Sequence, residues 1–298
     1  MKKLKFYIRS FRLRTLPLSV AGIFLGSMLA AADGFFDPSV FCLALLTTLC
    51  LQILSNISND LGDALKGTDN AERVGPIRAL QAGVLTSRDY RRMIFIFAVL
   101  SVLSGGILVF IAFRSLEYKS ILMLVAGGAA IIAALKYTMG KNPYGYRGLG
   151  DLFVFLFFGL LSTLGAYFLM RHSIRGTLLL PAISLGFLTT AVLNVNNIRD
   201  RENDARCGKN TIPVKIGEKK ARIYHFLLIS GAFIGMTLYA LLCSNGIWGF
   251  LFFLPLPLFI VHLHKMFTLS GKQLDPQLRF LSVSTLLFAI LSGLGQMI

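Results

Sequence analysis

Apolar residues run along this chain in long unbroken blocks separated by short clusters of charge, with none of the two-residue alternation of half-buried strands. A helix crossing the hydrocarbon needs about 20 mostly apolar residues. Nine blocks qualify, at 16–32, 39–58, 93–113, 119–138, 151–170, 176–196, 222–243, 247–264 and 279–297. The pattern predicts an all-α, polytopic membrane protein with nine transmembrane helices. Gly105-Gly106, Gly127-Gly128 and Pro255-Leu256-Pro257 interrupt these blocks. Membrane helices tolerate such interruptions when neighbours satisfy the freed backbone.

Composition supports this reading. Of 298 residues, 55% are hydrophobic and 15% charged, too little polar surface to wrap a water-soluble core. A formal charge of +16 in a soluble chain would suggest nucleic acid, but here the cations sort by topology. The amino-terminal flank (Lys2, Lys3, Lys5, Arg9, Arg12, Arg14) and the connections after the second, fourth, sixth and eighth helices carry 26 of the 30 Lys and Arg. The other side receives Arg114, Lys119, Arg171 and Arg175. The positive-inside rule then puts the amino terminus and the even-numbered connections in the cytoplasm, and the expected partner is the lipid bilayer, with no nucleic acid. The first 32 residues have the look of a secretory signal, but Pro17 and eight further helices favour an uncleaved start-transfer helix. Four scattered Cys and four His form no metal or disulfide pattern.

Ionisable groups in or near membrane helices are costly and read as functional. Two clusters stand out, Asn56, Asn59, Asp60, Asp63 and Asp69 closing the second helix, and Asn194, Asn196, Asn197, Asp200 and Asp204 closing the sixth. At helical spacing Asn56, Asp60 and Asp63 share a face, as do Asn196, Asp200 and Asp204. Convergence of these carboxylates would be repulsive unless divalent cations bridged them. Hard oxygen ligands suit Mg²⁺, which favours sites completed by substrate phosphates. Lys66, Arg73 and Arg78 flank the first cluster, Arg199, Arg201, Arg206 and Lys209 surround the second, and Lys136, Lys141 and Arg147 follow the fourth helix. Beside an acidic metal site such cations suit a diphosphate. The stretch from Tyr137 to Asp151 is rich in aromatics and Gly, fit for a lid or a pocket for a flat ring.

Asn56-x-x-Asn59-Asp60-x-x-Asp63 followed by Asp69, with Asp200-x-x-x-Asp204, resembles the paired aspartate-rich motifs of the UbiA superfamily of intramembrane prenyltransferases. Arg14-Thr15-Leu16-Pro17, Gly75-Pro76-x-Arg78, Pro143-Tyr144-Gly145-Tyr146 and Asn196-Asn197-x-Arg199-Asp200 narrow the likeness to the branch acting on 1,4-dihydroxy-2-naphthoate. Gly67 stands where many members carry Asp, and Asp69 takes that place. The resemblance implies one transmembrane prenyltransferase domain over 1–298, with motifs at 56–69 and 194–204. Its nine helices would surround a central cavity open toward the cytoplasm of a bacterial inner membrane.

It also implies transfer of a polyprenyl chain from polyprenyl diphosphate to 1,4-dihydroxy-2-naphthoate with decarboxylation, in menaquinone biosynthesis. Asp60, Asp63, Asp200 and Asp204, with Asp69 as a further candidate, would hold Mg²⁺. Asn56, Asn59, Asn196 and Asn197 would orient ligands or substrate. Arg78, Lys141, Arg199 and Lys209 are the expected diphosphate partners. Arg147, Tyr144 and Tyr146 are expected at the aromatic acceptor, and Tyr137 facing the developing cation. Two alternatives stay open: another aromatic acceptor, such as 4-hydroxybenzoate or homogentisate, and a cation-coupled transporter, which would place the polar clusters at the bilayer midplane. The oligomeric state is open as well.

Overall fold

The computed structural model describes residues 2–70, 73–243 and 246–298. Among them nine helices are long and apolar enough to cross a membrane, and no strand occurs. They are α1 (Leu16–Ala32), α2 (Pro38–Leu65), α3 (Ser87–Phe113), α4 (Tyr118–Lys136), α5 (Gly150–Arg171), α6 (Leu179–Arg199), α7 (Glu218–Cys243), α8 (Leu256–Thr268) and α9 (Asp275–Met297). A short helix, Lys2–Ser10, precedes α1.

Local chemistry sets several boundaries. Asp37 accepts from Ser39 N (2.8 Å) and Val40 N (3.2 Å), and Pro38 opens α2. A Thr86/Asp89 capping box starts α3 six residues before its apolar block begins. The eighth block is broken as its prolines suggest, with a 3-10 segment at Ile247–Phe253 ahead of α8. Within α5 the turns widen to π geometry over Phe155–Leu161. There Gly159 lies against the backbone of Gly186 in α6, so closely that a Cβ would collide with it.

The helices close around a cavity of about 540 Å³. One side of the bundle is built by α1 against α9 and α5 and by α6 against α5, α7 and α9, with α8 on α7 and α9. Its core includes Leu25, Leu185, Leu188, Phe233, Phe252, Phe259 and Phe288. On the other side α2 packs on α3, and α4 rests on α2 and α3. Of the nine, α6 is the most buried and α4 the least.

Two polar ties lie away from the motifs. At the end opposite them Asp33 pairs with Arg171 (2.5 Å) and Arg175 (2.8 Å), two of the four cations on the sparsely charged face. Buried His225 and His262 meet through their Nε2 atoms at 2.9 Å, and His262 Nδ1 contacts Gln277 Oε1 at 3.0 Å, linking α7, α8 and α9.

The expected symmetry of the two acidic clusters fails. The helix α2 runs seven residues past its apolar block, so Asn56 to Asp63 do lie on one continuous helix. In contrast α6 stops at Arg199, Asp200 takes a turn conformation (φ −95°, ψ 5°), and Asp204 belongs to a separate short helix, Arg201–Arg206. Asn196, Asp200 and Asp204 therefore do not share one helical face. The break lets Arg199 turn back on Asp200 through its Nε at 2.9 Å and Nη2 at 2.5 Å.

Replacing Gly159 by Leu should separate α5 from α6 and destabilise the chain by about 1–3 kcal/mol, as overpacking does. A lowered melting temperature of the purified variant in detergent is the readout, and an unchanged one would contradict this packing.

Candidate active site

The polar end of the cavity is assembled from α1, α2, α6 and the segments following α2, α4 and α6. Asn56, Asn59, Asp63, Arg78, Tyr137, Tyr144, Asn196, Asp200, Asp204 and Lys209 all line it. Ten residues picked out in sequence, from four separate stretches, thus face one space. Asn203 donates to Thr68 O (2.9 Å), which fastens the second motif to the loop after the first.

Other expected residues lie behind this surface. Asp60 is buried and does not line the cavity; its Oδ1 is held by Arg12 Nη2 at 2.5 Å and Arg78 Nη1 at 2.7 Å, and Tyr90 donates to its Oδ2 at 3.3 Å. Asp69 also lies behind, with Arg73 Nε at 2.8 Å and Arg78 Nε at 3.9 Å. The Arg199 side chain, expected at the diphosphate, is fully buried between Asp200 and Asp275, with Nη1 2.6 Å from Asp275 Oδ1. Asn197 is buried off the lining. Lys141, Tyr146 and Arg147 line a separate hollow. The expectation that Lys141 binds the diphosphate and Arg147 the acceptor inside this cavity is corrected accordingly: the loop carries both side chains outward, where they are exposed.

The carboxylates do not crowd together. Among the described residues no group of three acidic, His or Cys side chains stands ready to hold a metal, because cations intervene. Arg12 and Arg78 take Asp60, Arg73 takes Asp69, and Arg199 takes Asp200. Lys209 Nζ stands 3.4 Å from Asp63 Oδ1, which also accepts from the Tyr146 hydroxyl at 2.9 Å. Mutual repulsion relieved only by divalent cations, the expectation from sequence, gives way to arginine pairing. The lining nonetheless retains Asp63, Asp200 and Asp204 against Arg12, Arg14, Arg73, Arg78 and Lys209, an excess of positive charge suited to an anion.

Burial and charged neighbours together set the titration. Desolvation pushes Asp204 up to about 7, with Lys209 opposing and Asp200 and Asp63 adding to the rise. Its Oδ2 is buried without a hydrogen-bond partner, a hard oxygen free for a cation. Desolvation would raise Asp200 too, but hydrogen bonds and charge from Arg199 reverse it and hold it below its ordinary value. Burial alone would lower Lys209; Asp63 and Asp204 overcome this and keep the ammonium above its usual range. Burial pushes the Tyr137 hydroxyl up to about 12, so it stays protonated.

Sequence reasoning missed Arg12, Arg14 and Asn203 as lining residues, crediting the first two to topology, while Arg73, named there among the flanking cations, does line the cavity. Arg12 adopts a left-handed conformation (φ 52°, ψ 56°) at the turn into α1, a strained geometry for a non-glycine. That turn aims its guanidinium at Asp60. Arg14 reaches Asp275 Oδ2 at 2.9 Å. The aromatic loop forms wall instead of lid: Tyr144 stacks on Phe153 (3.9 Å between centroids) and donates to Ala133 O at 2.8 Å. Gly145 lies against the Tyr137 carbonyl, where a Cβ would come within 2.7 Å.

Residues 19–285 match the UbiA prenyltransferase family. The chain belongs to that family. It is 45% identical over 270 residues to the 1,4-dihydroxy-2-naphthoate octaprenyltransferase of Escherichia coli (strain K12), covering 91% of this chain and 86% of that one. To the Haemophilus influenzae enzyme of the same name it is 43% identical over 304 residues, covering 100% and 97%. Among solved structures, a UbiA homolog from Aeropyrum pernix K1 superposes with a TM-score of 0.70 at 16% identity, covering 94% of this chain and 96% of that one. A homolog from Archaeoglobus fulgidus bound to DMAPP and Mg²⁺ gives 0.61 at 16% identity, covering 93% and 96%. The UbiA fold follows, as the motif resemblance implied, and so does a multi-pass membrane protein, as the apolar blocks predicted; a transporter is set aside.

In Mg²⁺-free buffer, Asp204→Asn should stabilise this UbiA-family chain at pH 8 relative to the parent. The folded-state value of Asp204 lies above its unfolded one, so the parent loses stability as pH rises toward about 7. The gain should shrink between pH 8 and pH 5, where the native carboxyl is already protonated. Unfolding midpoints across that range test it, and a gain independent of pH would contradict the assignment.

Proposed function

We propose that this chain transfers a polyprenyl group from polyprenyl diphosphate to 1,4-dihydroxy-2-naphthoate, with loss of the ring carboxylate as CO₂, in menaquinone biosynthesis. One observation carries the chemistry: a single cavity joins an end lined by three carboxylates and five cations to an apolar arm along Gly105, Leu108, Gly127, Ala130, Phe157 and Leu161. Such a space fits a diphosphate with a long hydrocarbon tail. The acceptor is supported by the two bacterial relatives above, which cover nearly the whole chain.

The residues fit Mg²⁺. Asp63, Asp200 and Asp204 would hold it, and Asp60 would join them if a diphosphate drew Arg12 and Arg78 away from it. Asn59 and Asn196 also line the cavity. When bound, the metal would neutralise the diphosphate and favour ionisation of the allylic C–O bond. Lys209, Arg14 and Arg73 supply further positive charge where the leaving group gains negative charge. The chain's apolar wall keeps water from the carbocation, and the protonated Tyr137 ring offers it a π face. The ring carbon then bonds to the prenyl carbon, and the carboxylate leaves as CO₂ with its bonding pair restoring aromaticity. The tail exits toward lipid beside α4, the least buried helix. The split of 26 cations to four supports placing the polar end in the cytoplasm, at the inner membrane of a bacterium.

Membranes containing the chain, supplied with polyprenyl diphosphate, Mg²⁺ and one acid at a time, should yield prenylated product from 1,4-dihydroxy-2-naphthoate. No product from that acid, with product from 4-hydroxybenzoate or homogentisate, would transfer the assignment to the other acceptor. Asp63→Ala, Asp200→Ala and Asp204→Ala should each lower kcat by roughly 10²–10³-fold, the scale of losing a preorganised charge at a developing anion, while the protein still inserts. Turnover within a few-fold of the parent in all three would refute the site.

A further inference from the structure

A second hollow, of about 440 Å³, lies next to the polar end of the cavity, and Lys66, Lys141, Arg147, Tyr146, Cys207 and Asn210 are among its lining residues. Among the described residues no carboxylate lines it. Among the described residues none of its three cations forms an ion pair. This sets them apart from Arg12, Arg14, Arg73, Arg78 and Lys209 inside the cavity, each of which has a carboxylate partner. Topology explains cations on this face of the membrane. It does not explain three unpaired ones around a single concavity.

Tyr146 lines the hollow and reaches a carboxylate of the cavity. On the cavity side its hydroxyl donates to Asp63 Oδ1 at 2.9 Å, and Lys209 Nζ stands 5.3 Å from its ring centroid. Lys66 Nζ, which belongs to the hollow, stands 5.3 Å from the same centroid. One aromatic ring thus lies beside both a cation of the cavity and a cation of the hollow. The reaction sets a diphosphate free in a cavity whose other end is hydrocarbon, so the anion has to leave on this side.

We propose that the hollow is an oxyanion site that holds a diphosphate between the cavity and water, with Lys66, Lys141 and Arg147 as its ligands and Tyr146 as the wall it passes. The identity of the anion rests on the prenyl-transfer reading; the existence of an anion site does not. Phosphoryl oxygens also occur on anionic lipid headgroups, and the experiment separates the two sources.

The full chain, purified into nanodiscs of zwitterionic phospholipid, is titrated with inorganic diphosphate in the presence of a chelator, and binding is read by equilibrium dialysis. Half-buried Cys207 in the same hollow reports location through its rate of alkylation by N-ethylmaleimide, followed by mass spectrometry. Diphosphate should bind without Mg²⁺ and slow alkylation of Cys207. The combined variant Lys66→Gln, Lys141→Gln, Arg147→Gln, with an unchanged melting temperature, should bind roughly tenfold more weakly and lose the protection, because charge-assisted contacts to phosphoryl oxygen are removed. The charge-retaining pair Lys141→Arg, Arg147→Lys should keep both. Undiminished binding and protection in the neutralised variant would overturn the proposal. Loss of diphosphate binding when the discs contain anionic phospholipid would overturn it in favour of a headgroup. Protection of Cys207 in a chain that transfers no prenyl group to any of the three acids would support the site and sink only the transfer reading.

Discussion

Asp60, Asp63, Asp69, Asp200 and Asp275 lie at one end of an apolar bundle, and an ionised carboxylate taken out of water without a partner is strongly destabilising. The pairing of these groups with cations is the constraint on which the rest depends. Arg12 and Arg78 share Asp60, Arg73 and Arg78 flank Asp69, and Arg14 and Arg199 share Asp275, with Arg199 also gripping Asp200. Lys209 serves Asp63. Because the partners come from different elements, each pair is also a tertiary contact. Asp275 at the start of α9 joins the turn before α1 to the end of α6, and Asp60 joins α2 to the turn before α1 and to the loop carrying Arg78. The clasp that closes the bundle and the site that binds charge are the same set of side chains.

That arrangement gives the cavity its polarity. Cations and carboxylates crowd one end, and the helices leave the other end apolar. The strongly packed half, α1, α5, α6, α7 and α9, carries the Phe-rich core. On the other side α4 contributes Gly127, Gly128 and Ala130 to the lining while burying little of itself. A well-packed wall beside a little-buried helix suits a substrate whose tail stays in the bilayer while its head is gripped.

The two acidic motifs look alike in sequence, and the backbone treats them differently. The first rides one continuous helix, with Asn56 and Asp63 on the cavity lining and Asp60 covered from it by Arg12 and Arg78. The second is bent at Asp200, which brings Asp204 inward on a new helix and leaves Arg199 behind as support. Spacing by three or four residues shows which side chains share a helical face only while the helix continues. At Asp200 it does not, and the expected alignment was lost there.

The sequence by itself determined the membrane class, the nine helices, their number and approximate bounds, and the stretches from which the site is drawn. These are local properties: apolar block length against bilayer thickness, and the rarity of carboxylates in a chain with only 14 of them. It could not separate cations placed by topology from cations placed by chemistry, since Arg12, Arg14 and Lys141 look the same in a one-dimensional count. Only the folded chain decided that Arg12 and Arg14 turn into the cavity, that Lys141 and Arg147 turn out of it, and that His225 meets His262 across 37 residues. The physical reason is that an ion pair is set by the distance between two side chains brought from different helices, and no spacing along one helix contains that distance.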